Sequence, residues 1–325
     1  MVMKSTAIAH PMQGLLKYHG LKDWNLRIPY HDSISVTLDS LWTKTSVEFG
    51  NFENDEIFID GKQYDDSVKD RALDIINTIR DLSQIEDNVK ISSSNSIKLG
   101  EVKGLGFSSS GGAALAAAGF KAAKLDEKYG WDLKKISTIA RRLAGSASRS
   151  ITGSYSRWHA GTDDESSYSQ KFADSKNLDI SMIAIPFQST LTTEEAHREV
   201  ETSQFFDSRL ISANKRVDEL ENAIIDGDFD KFGKLVELDS LELHSITMTG
   251  ISRHVLFNEN TIKIIKYVKQ KQQENIPVYF SMQTGPSIFI NTLPEYADDI
   301  SSDLSGFGFN CIRSKIGGPA TIVND

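Results

Sequence analysis

The segment from Ala7 to Leu38, AIAHPMQGLLKYHGLKDWNLRIPYHDSISVTL, constrains this chain most, because it carries one lysine out of an apolar run into a glycine turn and an alternating strand. Lys17 follows Leu15-Leu16 and precedes Tyr18-His19-Gly20, and SISVTL (Ser33 to Leu38) then alternates with the period of a half-buried strand. Such a lysine either snorkels to the surface on its own methylenes or is enclosed in a pocket. There, partial desolvation strengthens its attraction for an anion.

Charge narrows what that anion can be. The net charge is −9 over 325 residues, which argues against a general nucleic-acid surface but leaves room for a small anionic ligand held by a few local cations. The length suits about two domains, and the apolar (39%) and charged (25%) fractions are those of an ordinary globular chain. Cys311 is the only cysteine, so neither an intrachain disulfide nor a thiolate metal cluster can form, and it reads as a small buried hydrophobe. The seven histidines show no metal-ligand spacing, and no metal site is expected. MVMKSTAIAHP has no continuous apolar core and nothing later approaches the ~20 apolar residues of a membrane span, so a cytoplasmic protein with no membrane partner is expected.

Periodicity sets out the order of elements. EIFIDGKQY (Glu56 to Tyr64) places Asp60-Gly61 at a type I′ hairpin turn, and Leu73, Ile76, Ile79 and Leu82 recur at helical spacing. SSSNSIKLGEVKG (Ser92 to Gly104) has no period and reads as a loop, ending at the Ala-rich, helix-forming Ser108 to Leu125. A helix over Leu133 to Leu143, the loop AGSASRS and a strand in Leu178 to Pro186 follow. Beyond them, Leu210, Ala213, Val217, Leu220 and Ile224 make one helical face and Phe229, Phe232, Leu235 and Leu238 another. Pro277 to Thr292 reads as two strands around a Gly-Pro turn, and NCIRSKIGGPATIVN as a closing strand pair. The boundary is placed near residue 180, dividing the chain into 1–180 and 181–325.

The AHP, QGL, KYHG and PYHDSIS wording of the opening segment resembles the N-terminal signature of the decarboxylases of the mevalonate pathway. These belong to the kinase superfamily shared with galactokinase, homoserine kinase and mevalonate kinase, and the wording resembles most that of the archaeal members. The resemblance spans essentially the whole chain. It implies an α+β, two-domain GHMP-kinase-like fold with an N-terminal ribosomal S5 domain 2-like α/β domain, a C-terminal ferredoxin-like domain and a cleft between them.

The resemblance also implies roles. Lys17 is the lysine that the decarboxylases use beside the C3 oxygen and its phosphate, with Tyr18 next to it as a substrate contact; the family's following lysine is replaced by Leu21, favouring a substrate with one phosphate at C5. LAGSASRS (Leu143 to Ser150) resembles GSGSACRS, so Ser146 and Arg149 match the residues that hold the substrate carboxylate. A guanidinium suits this because it donates two parallel hydrogen bonds. On the residues alone the same loop reads as helix capping.

GLGFSSSGGAALAAAGF (Gly104 to Phe120) resembles the superfamily's phosphate loop, with Ser108 and Ser109 as donors, but it has lost the family's proline, and Phe107 stands where a small residue normally lies. FSMQTGPSIF (Phe280 to Phe289) resembles the turn in which ATP-dependent members carry an aspartate. That position is Gln283, followed by Thr284, and a glutamine amide can orient a hydroxyl but has no basicity at neutral pH. VETSQFFDSR (Val200 to Arg209) and LVELDSLELH (Leu235 to His244) resemble the C-terminal-domain motifs that line the cleft, and Arg198 is a candidate C5-phosphate ligand or a helix-surface arginine. Asp32 either supplies a carboxylate in the aspartate's stead or caps a turn. Asp163-Asp164-Glu165 reads as a solvated acidic turn rather than a Mg²⁺ site.

The expected activity is therefore ATP-independent conversion of mevalonate 3,5-bisphosphate to isopentenyl phosphate, CO₂ and phosphate, without cofactor. An ATP- and Mg²⁺-dependent phosphomevalonate decarboxylase and a catalytically inactive isoprenoid-binding regulator are the alternatives. A homodimer is a family-level expectation.

Overall fold

Alternating and β-branched stretches pair into sheets, and the helices cover them. The computed structural model describes residues 3–65, 67–97, 105–189 and 191–323. In a six-stranded sheet β1 (Met3–Ala9) lies between β16 (Thr321–Val323) and β6 (Thr43–Gly50), followed by β9 (Asn88–Asn95), β7 (Glu56–Ile59) and β8 (Lys62–Gln63). The β7–β8 hairpin turns at Asp60-Gly61, both with positive φ (50° and 81°), as a type I′ turn requires. β6 alternates buried and half-buried residues. One face of this sheet therefore meets the helix layer.

That layer is built on α2 (Phe107–Ala122), whose alanines let it lie close to β1 and β6. A Cβ on Gly119 would stand 2.6 Å from Ile79 Cδ1, so α1 (Ser67–Ser83) packs directly on its backbone. α3 (Leu125–Tyr129) follows α2, and α4 (Leu133–Ala140) and α5 (Ala147–Thr152) complete the layer. The AGSASRS stretch, expected to be a loop, turns into α5 at Ala147, which places Arg149 on a helix.

A second sheet orders β11 (Ser169–Ala173), β10 (Tyr155–Trp158), β5 (Ser33–Thr37) and β2 (Met12–Leu16). The β2–β5 register slips between Gly14 and Leu16, a bulge that re-aims the end of β2. A two-stranded hairpin, β3 (Leu21–Asp23) with β4 (Ile28–Pro29), projects beyond it. The third sheet orders β13 (Val278–Met282), β14 (Ile288–Thr292), β12 (Ser181–Ile185) and β15 (Ile312–Ser314). It is covered by α9 (Glu259–Gln273) and α10 (Ala297–Gly306), with Ile264, Val268, Ile300 and Leu304 meeting Phe280 and Ile290.

The expected closing strand pair is corrected: β15 pairs with β12, whereas β16 crosses over to β1. Gly317-Gly318-Pro319 is the crossing rather than a hairpin turn, and Ser154 N–H bonds Gly317 O at 3.0 Å along it. α6 (Thr193–Val200), α7 (Phe206–Ile225) and α8 (Phe229–Met248) lie between the sheets, where Val217, Leu220, Phe232 and Val236 share a core with Leu15, Leu16, Ile34 and Val36. The α8 face also differs from expectation. Leu238 is 44% exposed, and the buried stripe instead runs through Phe232, Val236, Asp239, Ser240 and Leu243. Among the described residues no helix is long and apolar enough to cross a membrane.

Candidate active site

β2 ends against α8, and this contact brings Lys17 to a carboxylate the sequence reading did not single out. Lys17 is 5% exposed; its Nζ donates to Asp239 Oδ2 at 3.2 Å and to Ser240 Oγ at 3.1 Å, and its backbone N–H bonds the same Asp239 oxygen at 3.0 Å. Arg209 donates to Asp239 Oδ1 and to the Lys17 carbonyl, and bridges with Arg216 to Glu242. Two arginines and a lysine therefore surround one fully buried carboxylate. Burial opposes the charge on Asp239, but Arg209 and Lys17 outweigh it and hold the carboxyl below its usual range. For Lys17 burial wins over Asp239 and lowers the ammonium to about 8. An ammonium has three donors, so one remains beyond Asp239 and Ser240.

Gln283 stands beside it. Its Oε1 accepts from Gly14 N–H at 3.1 Å and its Nε2 donates to Gly14 O at 3.2 Å. This two-way clasp on β2 is one that only an amide can make, since a carboxylate has no donor. Thr284 Oγ1 lies 3.2 Å from His19 Nε2, and His244 Nε2–H donates to Gln283 O at 3.1 Å. Burial keeps His244 neutral to about pH 4 and holds His19 well below the ordinary histidine range.

On the other side Arg149 is 1% exposed, donates to Ser33 Oγ at 2.9 Å, and lies over the rings of Tyr18 and Trp158 at 5.4 and 5.6 Å. No carboxylate pairs with it among the described residues, its Nε has no partner, and burial lowers it to about 10. An enclosed guanidinium facing rings rather than a counter-ion is a receptor for an anion. Ser146 begins the α5 turn; its backbone N–H meets the Tyr18 hydroxyl, and its side chain makes no capping bond. Gly145 is required there, because a Cβ would lie 2.5 Å from both the Tyr18 hydroxyl and Trp158. Tyr18 stacks on His197 (4.8 Å) and meets Trp158 edge-on (4.7 Å).

Lys17, Tyr18, Ser146, Arg149, Gln283 and Thr284 thus line one region, while other candidates do not. Asp32 is corrected: burial raises it, but hydrogen bonds from His159, the Ala160 N–H and Arg157 prevail and hold it near 2. It is consumed in anchoring β10 and its following turn, with Arg157 Nε at 2.8 Å. Ser109 donates its only proton to Gly106 O at 2.6 Å and accepts from Met12 N–H at 3.3 Å, leaving nothing to give a phosphate. Ser108 is exposed in the first turn of α2. Phe107 does not stand in a phosphate path; its ring belongs to the core around Leu15, Leu41 and Leu105. Residues 98–104, including Gly104 and the place of the lost proline, lie outside the described residues. Arg198 is exposed with its guanidinium 3.9 Å from the Trp24 ring centre. Asp164 pairs with Arg141 and Arg142, so the acidic turn is a structural anchor.

Comparison with known proteins places this geometry in a family. Residues 9–169 match the model of the diphosphomevalonate decarboxylase-like N-terminal domain, and 188–311 that of the mevalonate 5-diphosphate decarboxylase C-terminal domain. The chain is 36% identical to the phosphomevalonate decarboxylase of Haloferax volcanii, over 99% of this chain and 98% of that one. It is 30% identical to the diphosphomevalonate decarboxylase of Candida albicans, over 93% and 86%. The mevalonate diphosphate decarboxylase of Staphylococcus aureus superposes with a TM-score of 0.92 at 27% identity, covering 100% of this chain and 99% of that one. That of Enterococcus faecalis gives 0.91 at 26%, over the whole of both chains. With the two-domain α/β fold of these enzymes and a buried lysine and arginine flanking one tyrosine, the chain belongs to the decarboxylases of the mevalonate pathway, a family of carbon–carbon lyases.

Proposed function

We propose that the chain releases phosphate and CO₂ from mevalonate 3,5-bisphosphate to give isopentenyl phosphate, without ATP and as a homodimer. The observation that carries this reading is Gln283. Phosphorylating a tertiary hydroxyl calls for a group that takes or orients its proton, and the amide at 283 has no basicity and is spent on Gly14. The buried carboxylate beside Lys17, Asp239, is engaged on both oxygens by Lys17 and Arg209.

The residues present suit elimination of a phosphate already attached. As the C3–O bond breaks, its electron pair leaves with the phosphate, and the free Lys17 donor meets the growing negative charge. Arg149, with the Ser146 hydroxyl, holds the C1 carboxylate so that the C1–C2 electrons fall into the emptying orbital at C3. The C2–C3 double bond forms as CO₂ departs, and no proton has to move.

The Haloferax relative's name favours a second reading, an ATP-dependent phosphomevalonate decarboxylase. The deciding experiment measures phosphate and CO₂ from mevalonate 3,5-bisphosphate with and without ATP·Mg²⁺, and from mevalonate 5-phosphate with ATP·Mg²⁺. Equal turnover of the bisphosphate in both conditions is expected. Dependence on ATP, or comparable rates from the monophosphate, overturns the ATP-independent reading.

A further inference from the structure

The proposed substrate carries three anionic groups on a five-carbon chain, and only two have been given partners. Lys17 addresses the group on C3 and Arg149 the carboxylate, so the 5-phosphate needs a third cation on the Tyr18 side of the site. The β3–β4 hairpin supplies one. Arg27 closes its turn in the left-handed region (φ 53°), where an arginine is an uncommon choice over glycine or asparagine. The residue is half-buried, its Nε is enclosed without a hydrogen-bond partner, and no carboxylate pairs with it among the described residues.

Its surroundings are those of an anion site. Arg27 and Arg149 both act on the Tyr18–His197 stack: burial first, then these two charges, keep His197 neutral down to about pH 3. Gly20 N–H donates to His197 Nδ1 at 3.1 Å, which puts the ring proton on Nε2, a donor with no partner among the described residues. Glu194 is the carboxylate whose charge reaches Tyr18, and Glu201 is taken by Leu21 N–H at 2.8 Å. Arg198, the other cation of this region, is exposed and stacked on Trp24 of the same turn, at the rim rather than inside.

We infer that Arg27 binds the phosphate on C5, with the His197 Nε2–H as a neutral second donor, and thereby selects mevalonate derivatives phosphorylated there. The inference rests on a phosphorylated mevalonate as substrate, but not on the ATP question, since mevalonate 5-phosphate bears the same group under either reading.

The test is calorimetric titration of the full-length protein with mevalonate 5-phosphate, for wild type, Arg27→Ala, Arg27→Lys and Arg198→Ala, with a melting curve of each ligand-free protein. Arg27→Ala should weaken binding ten- to a hundredfold at unchanged melting temperature. Arg27→Lys should recover most of the affinity, and Arg198→Ala should cost less than threefold. Wild-type affinity in Arg27→Ala, no recovery in Arg27→Lys, or the larger loss in Arg198→Ala overturns Arg27 as the phosphate residue while leaving the substrate intact. Failure of the wild type to bind mevalonate 5-phosphate overturns this inference, whereas the substrate reading falls only if the bisphosphate is not turned over.

Discussion

Replacing Asp239 by asparagine should move the alkaline limit of activity to lower pH. Lys17 acts protonated in the proposed elimination, and its ammonium titrates at about 8, so wild-type activity falls as pH rises through that value. The carboxylate oxygen stands 3.2 Å from Nζ. At an effective dielectric near 20 that pair attracts by about 5 kcal/mol, or roughly three to four pKa units. The asparagine carbonyl still accepts a hydrogen bond and water relaxes the site, so a smaller shift of about one unit or more is expected. Arg209 and Arg216, left less compensated, push in the same direction.

With the limit at about 7 instead of about 8, the variant holds about a third as much protonated lysine at pH 7.5, yet nearly the full amount at pH 6. The assay is kcat/KM for the bisphosphate from pH 5.5 to 9, beside circular dichroism, because breaking a buried pair can also cost about 3–5 kcal/mol of stability. A folded variant whose alkaline limit stays near 8 would show that Lys17 is not the titrating group, or that Asp239 does not hold it.

Arg149→Ala should lower kcat/KM by roughly ten- to 150-fold, the loss of about 1.5–3 kcal/mol of charge-assisted bonding. Because the guanidinium is enclosed without a carboxylate, the ligand-free protein should keep its stability within about 1 kcal/mol. Near-normal kinetics or a collapsed melting temperature would remove Arg149 from the substrate site. Gln283→Glu should destabilise the fold by about 0.5–1.5 kcal/mol in urea titration, since the Gly14 carbonyl loses one of its two side-chain donors and keeps Ser281 Oγ at 3.3 Å, and should weaken binding of the bisphosphate through like charge. Unchanged stability would mean that the clasp on β2 contributes little.

Much of this molecule was legible before folding. The Asp60-Gly61 turn, the α1 and α7 stripes and the β13–β14 pair are local, decided by period and turn chemistry within a few residues. The opening segment carried Lys17 and Tyr18, and AGSASRS carried Arg149, because each motif keeps its chemistry in consecutive residues. Asp239 lay in a segment expected to line the cleft but was not singled out, although a signal existed. It sits on the buried stripe of α8 between Val236 and Leu243, as Arg209 and Arg216 sit on that of α7, and a charge inside an apolar stripe must find a partner.

What no local pattern holds is which partner. Lys17 and Asp239 are 222 residues apart, Gly14 and Gln283 269, and they meet only because β2 ends against α8 and the turn after β13. The same long-range packing sends β16 back to β1, turns Phe107 into the core, spends Ser109 on Gly106 and ties Asp32 to Arg157. Composition and order of residues set which charges and donors the chain owns. Tertiary structure decided which of them are neutralised by one another and which, like Arg149, are left buried with an unmet charge for a ligand to satisfy.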